Sequence, residues 1–141
     1  MKKHSLKFIL GLVIILFFSI GFANAQSSEN IIGQYWSPKK DAKIKVYKQG
    51  DNYFGQIIWT KQPVKDTKNP KPELRTRDVV GLVFLTNFIY KDNVYINGQV
   101  YDSESGKTYS CKMWLENGNL KVKGYIGLSL FGRSETFIKI K

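Results

Sequence analysis

Two arginines one residue apart, in the segment NPKPELRTRD, make the most suggestive chemical feature of this 141-residue chain. In extended backbone, side chains two positions apart point the same way, so Arg75 and Arg77 can close on one carboxylate or phosphate as paired forks. The same pair can instead tie its own segment down, through Asp78, Glu73 or backbone carbonyls. A second polar group lies in VYDSESGKTY, where Tyr101, Asp102, Lys107 and Tyr109 flank a turn. These residues suit the polar rim of a binding site. The reading preferred is a plain hairpin in which Asp102 accepts turn amides and the tyrosines pair across strands. Trp59, with Tyr53, Phe84, Phe88, Met113, Trp114 and Phe137, supplies the large side chains expected to line or fill an interior.

Residue types exclude much other chemistry. The only histidine, His4, stands in a leader-like segment, so the remaining chain has no imidazole base, no histidine metal ligand and no Ser-His or Cys-His pair. Cys111 is the sole cysteine, which rules out an intramolecular disulfide and a thiolate metal cage; a buried, inert thiol is the expectation. The turn acids Asp102 and Glu104 are too few for a hard cation. No acid pair is placed for acid–base hydrolysis, since Asp66 and Asp78 merely border a loop. The reading is therefore a non-enzyme with no catalytic residue, no metal and no cofactor.

The elements that must position these groups begin after residue 25. MKKHSLK is a basic leader, FILGLVIILFFSIGF is an apolar run, and Ala23-Asn24-Ala25 is a small-x-small cleavage site, which together read as a signal peptide over 1–25. Residues 26–141 are then one exported domain, periplasmic or secreted, with no transmembrane segment. Without Lys2, Lys3 and Lys7, the 22 basic residues become 19 against 11 acidic, a net +8. The plain reading of that charge is a barrel whose outward strand positions are lysines; if it serves a partner, an anionic envelope component is expected rather than nucleic acid.

Beyond residue 30 the apolar period is two, in short runs divided by turn residues. AKIKVYK and YFGQIIWT form a hairpin about Gln49–Asn52, and NVYINGQVYD returns as KTYSCKMWLE. Asn117-Gly118 marks another tight turn before NLKVKGYIG and RSETFIKIK. VVGLVFLTNFIYK has apolar residues on both parities, as in a strand that is covered twice or carries a bulge. Residues 61–78 contain three prolines and many charges, and form a long loop. About eight antiparallel strands without helices leave two edges unless they close, so the fold expected is a single closed barrel, with an open sandwich as the alternative.

With the strands placed, Gly33-x-Tyr35, GQIIWT, DTKNPKPELRTRDVVGL, NGQVYDSESGKTYSCKMWL and VKGYIGLSLFGRSETF together resemble the DUF2147 family of small exported bacterial proteins, over residues 31–138. Tyr35 and Phe137 stand where that family often has tryptophan. The resemblance implies an all-β, lipocalin-like (calycin-like) barrel and says little about function. It also suggests a clasp in which Arg133 lies over Tyr35 or Trp36. Gly124 and Gly127 would relieve crowding, Gly132 would permit the turn into the last strand, and Leu128, Leu130 and Phe131 would cap one end.

The function expected is binding of a small apolar or amphipathic, lipid-like ligand by a monomer. Arg75 and Arg77 would orient an acidic head group, with Trp59, Tyr101, Lys107 and Tyr109 around it. The competing reading is an envelope interaction module with a packed core, whose basic face and long loop bind a protein or anionic polymer.

Overall fold

The computed structural model describes residues 27–129 and 132–141. Eight strands follow one another: β1 Gly33–Trp36, β2 Ala42–Gln49, β3 Asn52–Thr60, β4 Val83–Lys91, β5 Val94–Asp102, β6 Lys107–Glu116, β7 Asn119–Tyr125 and β8 Arg133–Lys139. Each pairs antiparallel with the next, and β8 returns to β1, closing the barrel. The closing seam is short, with Tyr35 opposite Lys139 and Trp36 opposite Ile138. A single 3-10 turn, Pro72–Leu74, interrupts the connection between β3 and β4.

Tight turns set the register. Asp92 and Asn93 both have positive φ, as do Asn117 and Gly118, the geometry whose twist matches that of flanking strands. Between β2 and β3, Lys43 faces Trp59 while Ile44 faces Ile57, so Ile58 is an extra residue and the strand bulges there. The mixed parity of β4 has the same origin: β3 and β4 slip twice, and Phe84 and Leu85 are both buried. Opposite these slips, Gly98 has no side chain because a Cβ there would collide with the Phe88 ring.

One end of the barrel is sealed. Ile31, Tyr35, Tyr53, Phe88, Tyr95, Met113 and Leu120 are buried to 2% exposure or less and fill the interior. Above them lies the segment before β1: the Tyr35 hydroxyl donates to the Ile31 carbonyl at 2.7 Å, and the Tyr95 hydroxyl donates to that of Ser28. Burial pushes the Tyr35 phenol up to about 12, and that of Tyr95 up as well. Cys111 is fully buried, its thiol pushed up to about 12 by desolvation.

The closing seam uses Lys139, where Arg133 was expected. Tyr35 is in register with Lys139, whose ammonium lies 4.8 Å from the Tyr35 ring centroid and donates to the Ile32 carbonyl at 3.1 Å. Gly33 has no side chain to obstruct it; a Cβ would strike that ammonium. Arg133 starts β8 at the opposite end, its side chain 88% exposed and 3.2 Å from Glu135. Gly124 lies in β7 beside Val100, Gly127 bends with φ 75°, and Gly132 packs against Tyr125. Leu130, Phe131 and the leader segment 1–25 lie outside the described residues.

Candidate functional site

Every connection that can reach a ligand from the other end belongs to one rim: residues 37–41, 61–82, 103–106 and the bend after β7. The strand rows that point inward become progressively open towards it. Along β7 the side chains go from buried Leu120 and Val122 to half-buried Gly124. Along β8 they go from Phe137 through half-buried Glu135 to exposed Arg133. Phe84 and Phe137, from opposite walls, meet at 6.4 Å between ring centroids and form a floor. Val100 and Tyr109, register partners on β5 and β6, are both half-buried, with Lys107 at the rim of the same row as Tyr109. The rim half of these rows is thus less buried than the packed lower half, and it carries both apolar and charged side chains.

The long loop is ordered by a residue that the sequence reading passed over. Asp66 is 0% exposed. Its Oδ2 accepts from Arg77 Nε and Asn69 Nδ2, both at 2.9 Å, and its Oδ1 accepts from the Tyr101 hydroxyl at 2.6 Å. Arg77 Nη2 also lies 2.9 Å from Oδ2. Burial alone would raise this carboxyl. The hydrogen bonds from Tyr101, Asn69 and Arg77, with the Arg77 charge, outweigh burial and hold it below its ordinary value. The Tyr101 phenol is raised, by burial first and then by the carboxylate it binds. One signal was available: Asp66 and Asn69 stand three apart before Pro70, spacing suited to a turn in which side chains bond the local backbone.

Arg75 and Arg77 consequently do not converge on a shared anion site. Arg77 is committed to Asp66, and Arg75 Nε donates to the Asn69 carbonyl at 2.8 Å. The tether is of the kind the sequence left open, with a different acid: Asp78 pairs with Lys65 at 2.7 Å. The loop also docks on the β5–β6 turn, where the Lys68 carbonyl occupies the space a side chain at Gly106 would need. That turn is the plain hairpin foreseen as one reading. Asp102 Oδ1 accepts the Glu104 amide at 3.0 Å and its Oδ2 accepts the Ser105 hydroxyl at 2.8 Å. Tyr101 faces Thr108 and Tyr109 faces Val100 in register, so the two tyrosines are not partners.

Two tryptophans expected inside are outside. The bulge at Ile58 reverses the parity of β3, so Trp59 shares the outer face with Lys43. Its ring meets Trp36 edge to face at 5.9 Å, and the Lys43 ammonium lies 4.6 Å and 5.4 Å from the two centroids. Trp114 alternates with buried Met113 and carries Lys112 over its ring at 5.7 Å. Among the described residues no cluster of three acids, histidines or cysteines is arranged to hold a metal, and no helix is long and apolar enough to cross a membrane.

A closed, eight-stranded antiparallel barrel with a plugged end and a ringed mouth is the lipocalin-like architecture. It is shared with a solved structure described as protein HP1028 from the human pathogen Helicobacter pylori, belonging to the lipocalin family. The TM-score is 0.71 at 24% identity, covering 79% of this chain and 83% of that one. The chain belongs to the family described as an uncharacterized protein conserved in bacteria, DUF2147, which matches residues 33–139. No curated protein matches it in sequence.

Proposed function

We propose that this protein binds a small apolar or amphipathic molecule at its mouth, without catalysing a reaction on it, after export and removal of residues 1–25. The observation that carries the reading is the gradient inside the barrel. A sealed lower half gives way towards the rim to half-buried Val100, Tyr109 and Gly124, with the Phe84 and Phe137 rings in contact between the walls. Apolar walls with a few polar groups at the rim are the usual make-up of a small-molecule site. Tyr109 and Lys107 are the rim groups that would meet an acidic head group, because Arg77 is spent on Asp66. The packed floor limits the ligand to partial insertion, such as the end of an acyl chain.

Native mass spectrometry of the purified protein with solvent extraction, followed by titration with a fatty-acid series, tests this. One molecule per barrel is expected, and Tyr109→Glu, which puts a charge on the half-buried wall where it still reaches water, should weaken binding at least about tenfold, or 1.4 kcal/mol. An empty barrel with no saturable binding, or unchanged binding by Tyr109→Glu, overturns the proposal.

A further inference from the structure

We infer that the mouth end of the barrel docks on the surface of an anionic lipid bilayer. Among the described residues, seven large apolar side chains stand exposed, and five of them, Trp59, Val64, Val80, Ile126 and Leu128, belong to the mouth end. Their exposure runs from 41% at Trp59 to 78% at Ile126, with Leu128 at 65%. In strand order they follow an arc from the bend after β7, past β8 and β1, to β3 and its loop. Exposed apolar side chains scattered singly need no explanation, but such a concentration at one end does.

The charges of the same end are interleaved with this arc. Lys39, Lys40 and Lys61 are exposed on its loops, and Lys43 is held against the rings of Trp36 and Trp59. Aliphatic tips gain from entering the acyl boundary, tryptophans favour the head-group level, and lysines favour anionic lipid above it. A soluble anionic polymer would satisfy the lysines and leave Ile126 and Leu128 in water. A bilayer satisfies both, with the polar Lys65–Asp78 pair remaining at head-group level. This docking rests on the outer surface alone and stands whether or not a molecule enters the mouth.

The test is co-sedimentation of the full exported chain with vesicles of phosphatidylcholine containing phosphatidylglycerol, against pure phosphatidylcholine, in the absence of free fatty acid. Retention on the anionic vesicles is expected, at least about tenfold weaker for Ile126→Asp/Leu128→Asp, whose exposed sites leave the fold unchanged; a tenfold change corresponds to 1.4 kcal/mol. Lys39→Glu/Lys61→Glu should remove the preference for anionic lipid. Vesicles with brominated acyl chains should quench the wild-type tryptophan fluorescence. They should spare Trp36→Phe/Trp59→Phe, which retains only Trp114 near the sealed end. Equal retention on both vesicle types overturns the inference. So does salt-sensitive retention that Ile126→Asp/Leu128→Asp leaves intact, which assigns the surface to an anionic polymer instead.

Discussion

Replacing Asp66 by asparagine keeps the shape of the loop anchor and removes its charge. The buried carboxylate satisfies Arg77, Asn69 and Tyr101 together. An asparagine offers one acceptor oxygen to three donors and turns its own amide hydrogens toward at least one of them. Leaving a buried charge without its partner costs about 3–5 kcal/mol. The Arg77 side chain, however, is 37% exposed and can turn to water, which reduces that contribution to about 1 kcal/mol. Losing the bond from Tyr101 to a charged acceptor adds about 1.5 kcal/mol. The sum, about 2–3 kcal/mol, corresponds to a fall in melting temperature of about 10 °C for a domain of this size. Circular dichroism melts across pH supply the second half of the assay. Because the native carboxyl is held below its ordinary value, its stabilisation is complete above the unfolded value of about 3.9. It is lost as pH falls through the native one. Wild type and Asp66→Asn should therefore differ at neutral pH and converge on acidification below about pH 4. Asp66→Asn melting within about 1 °C of wild type at neutral pH, a shift far below the mutational range expected here, refutes the anchor. A gap that does not narrow in acid refutes the part assigned to charge.

Two further outcomes follow from the barrel interior. Gly98→Ala places a Cβ against the buried Phe88 ring, and overpacking of this kind should cost about 1–3 kcal/mol in urea unfolding; Phe88→Leu in the same chain should recover part of the loss, and strictly additive effects would show that the two residues do not meet. In alkali, the Tyr35 phenol and Cys111 thiol are both raised to about 12, so the stability they contribute is complete below their unfolded values, about 10 for tyrosine and about 8.5 for cysteine, and is lost as pH rises from there towards the native ones. Tyrosinate absorbance from the buried set should then appear together with loss of sheet signal, and its appearance near its ordinary value in a barrel that stays folded would contradict the sealed end.

What the sequence made legible, and what it hid, divides along one physical line. Hairpins were legible because a period of two and a turn such as Asn117-Gly118 are local. Trp114 was also readable: on a regular strand it cannot share a face with Met113, so size alone misled the expectation that both were inside. Trp59 was not readable, because its outward position depends on the bulge at Ile58, and one inserted residue exchanges the faces of everything beyond it. The loop anchor joins Asp66 to Tyr101, 35 residues away, so the two meet only when the loop folds back on β5. The clasp depends on the same kind of long-range register. Pairing Tyr35 with Lys139 fixes β8 and leaves Arg133, six residues earlier, about 20 Å along the strand at 3.3 Å per residue. A cation that would have closed the seam is thereby carried to the rim, beside Glu135 and above the apolar floor. For the proposed binding site two long-range contacts matter: the Asp66 anchor holds Arg75 and Arg77 in the loop, and the seam register places Arg133 at the end where Lys107 and Tyr109 stand.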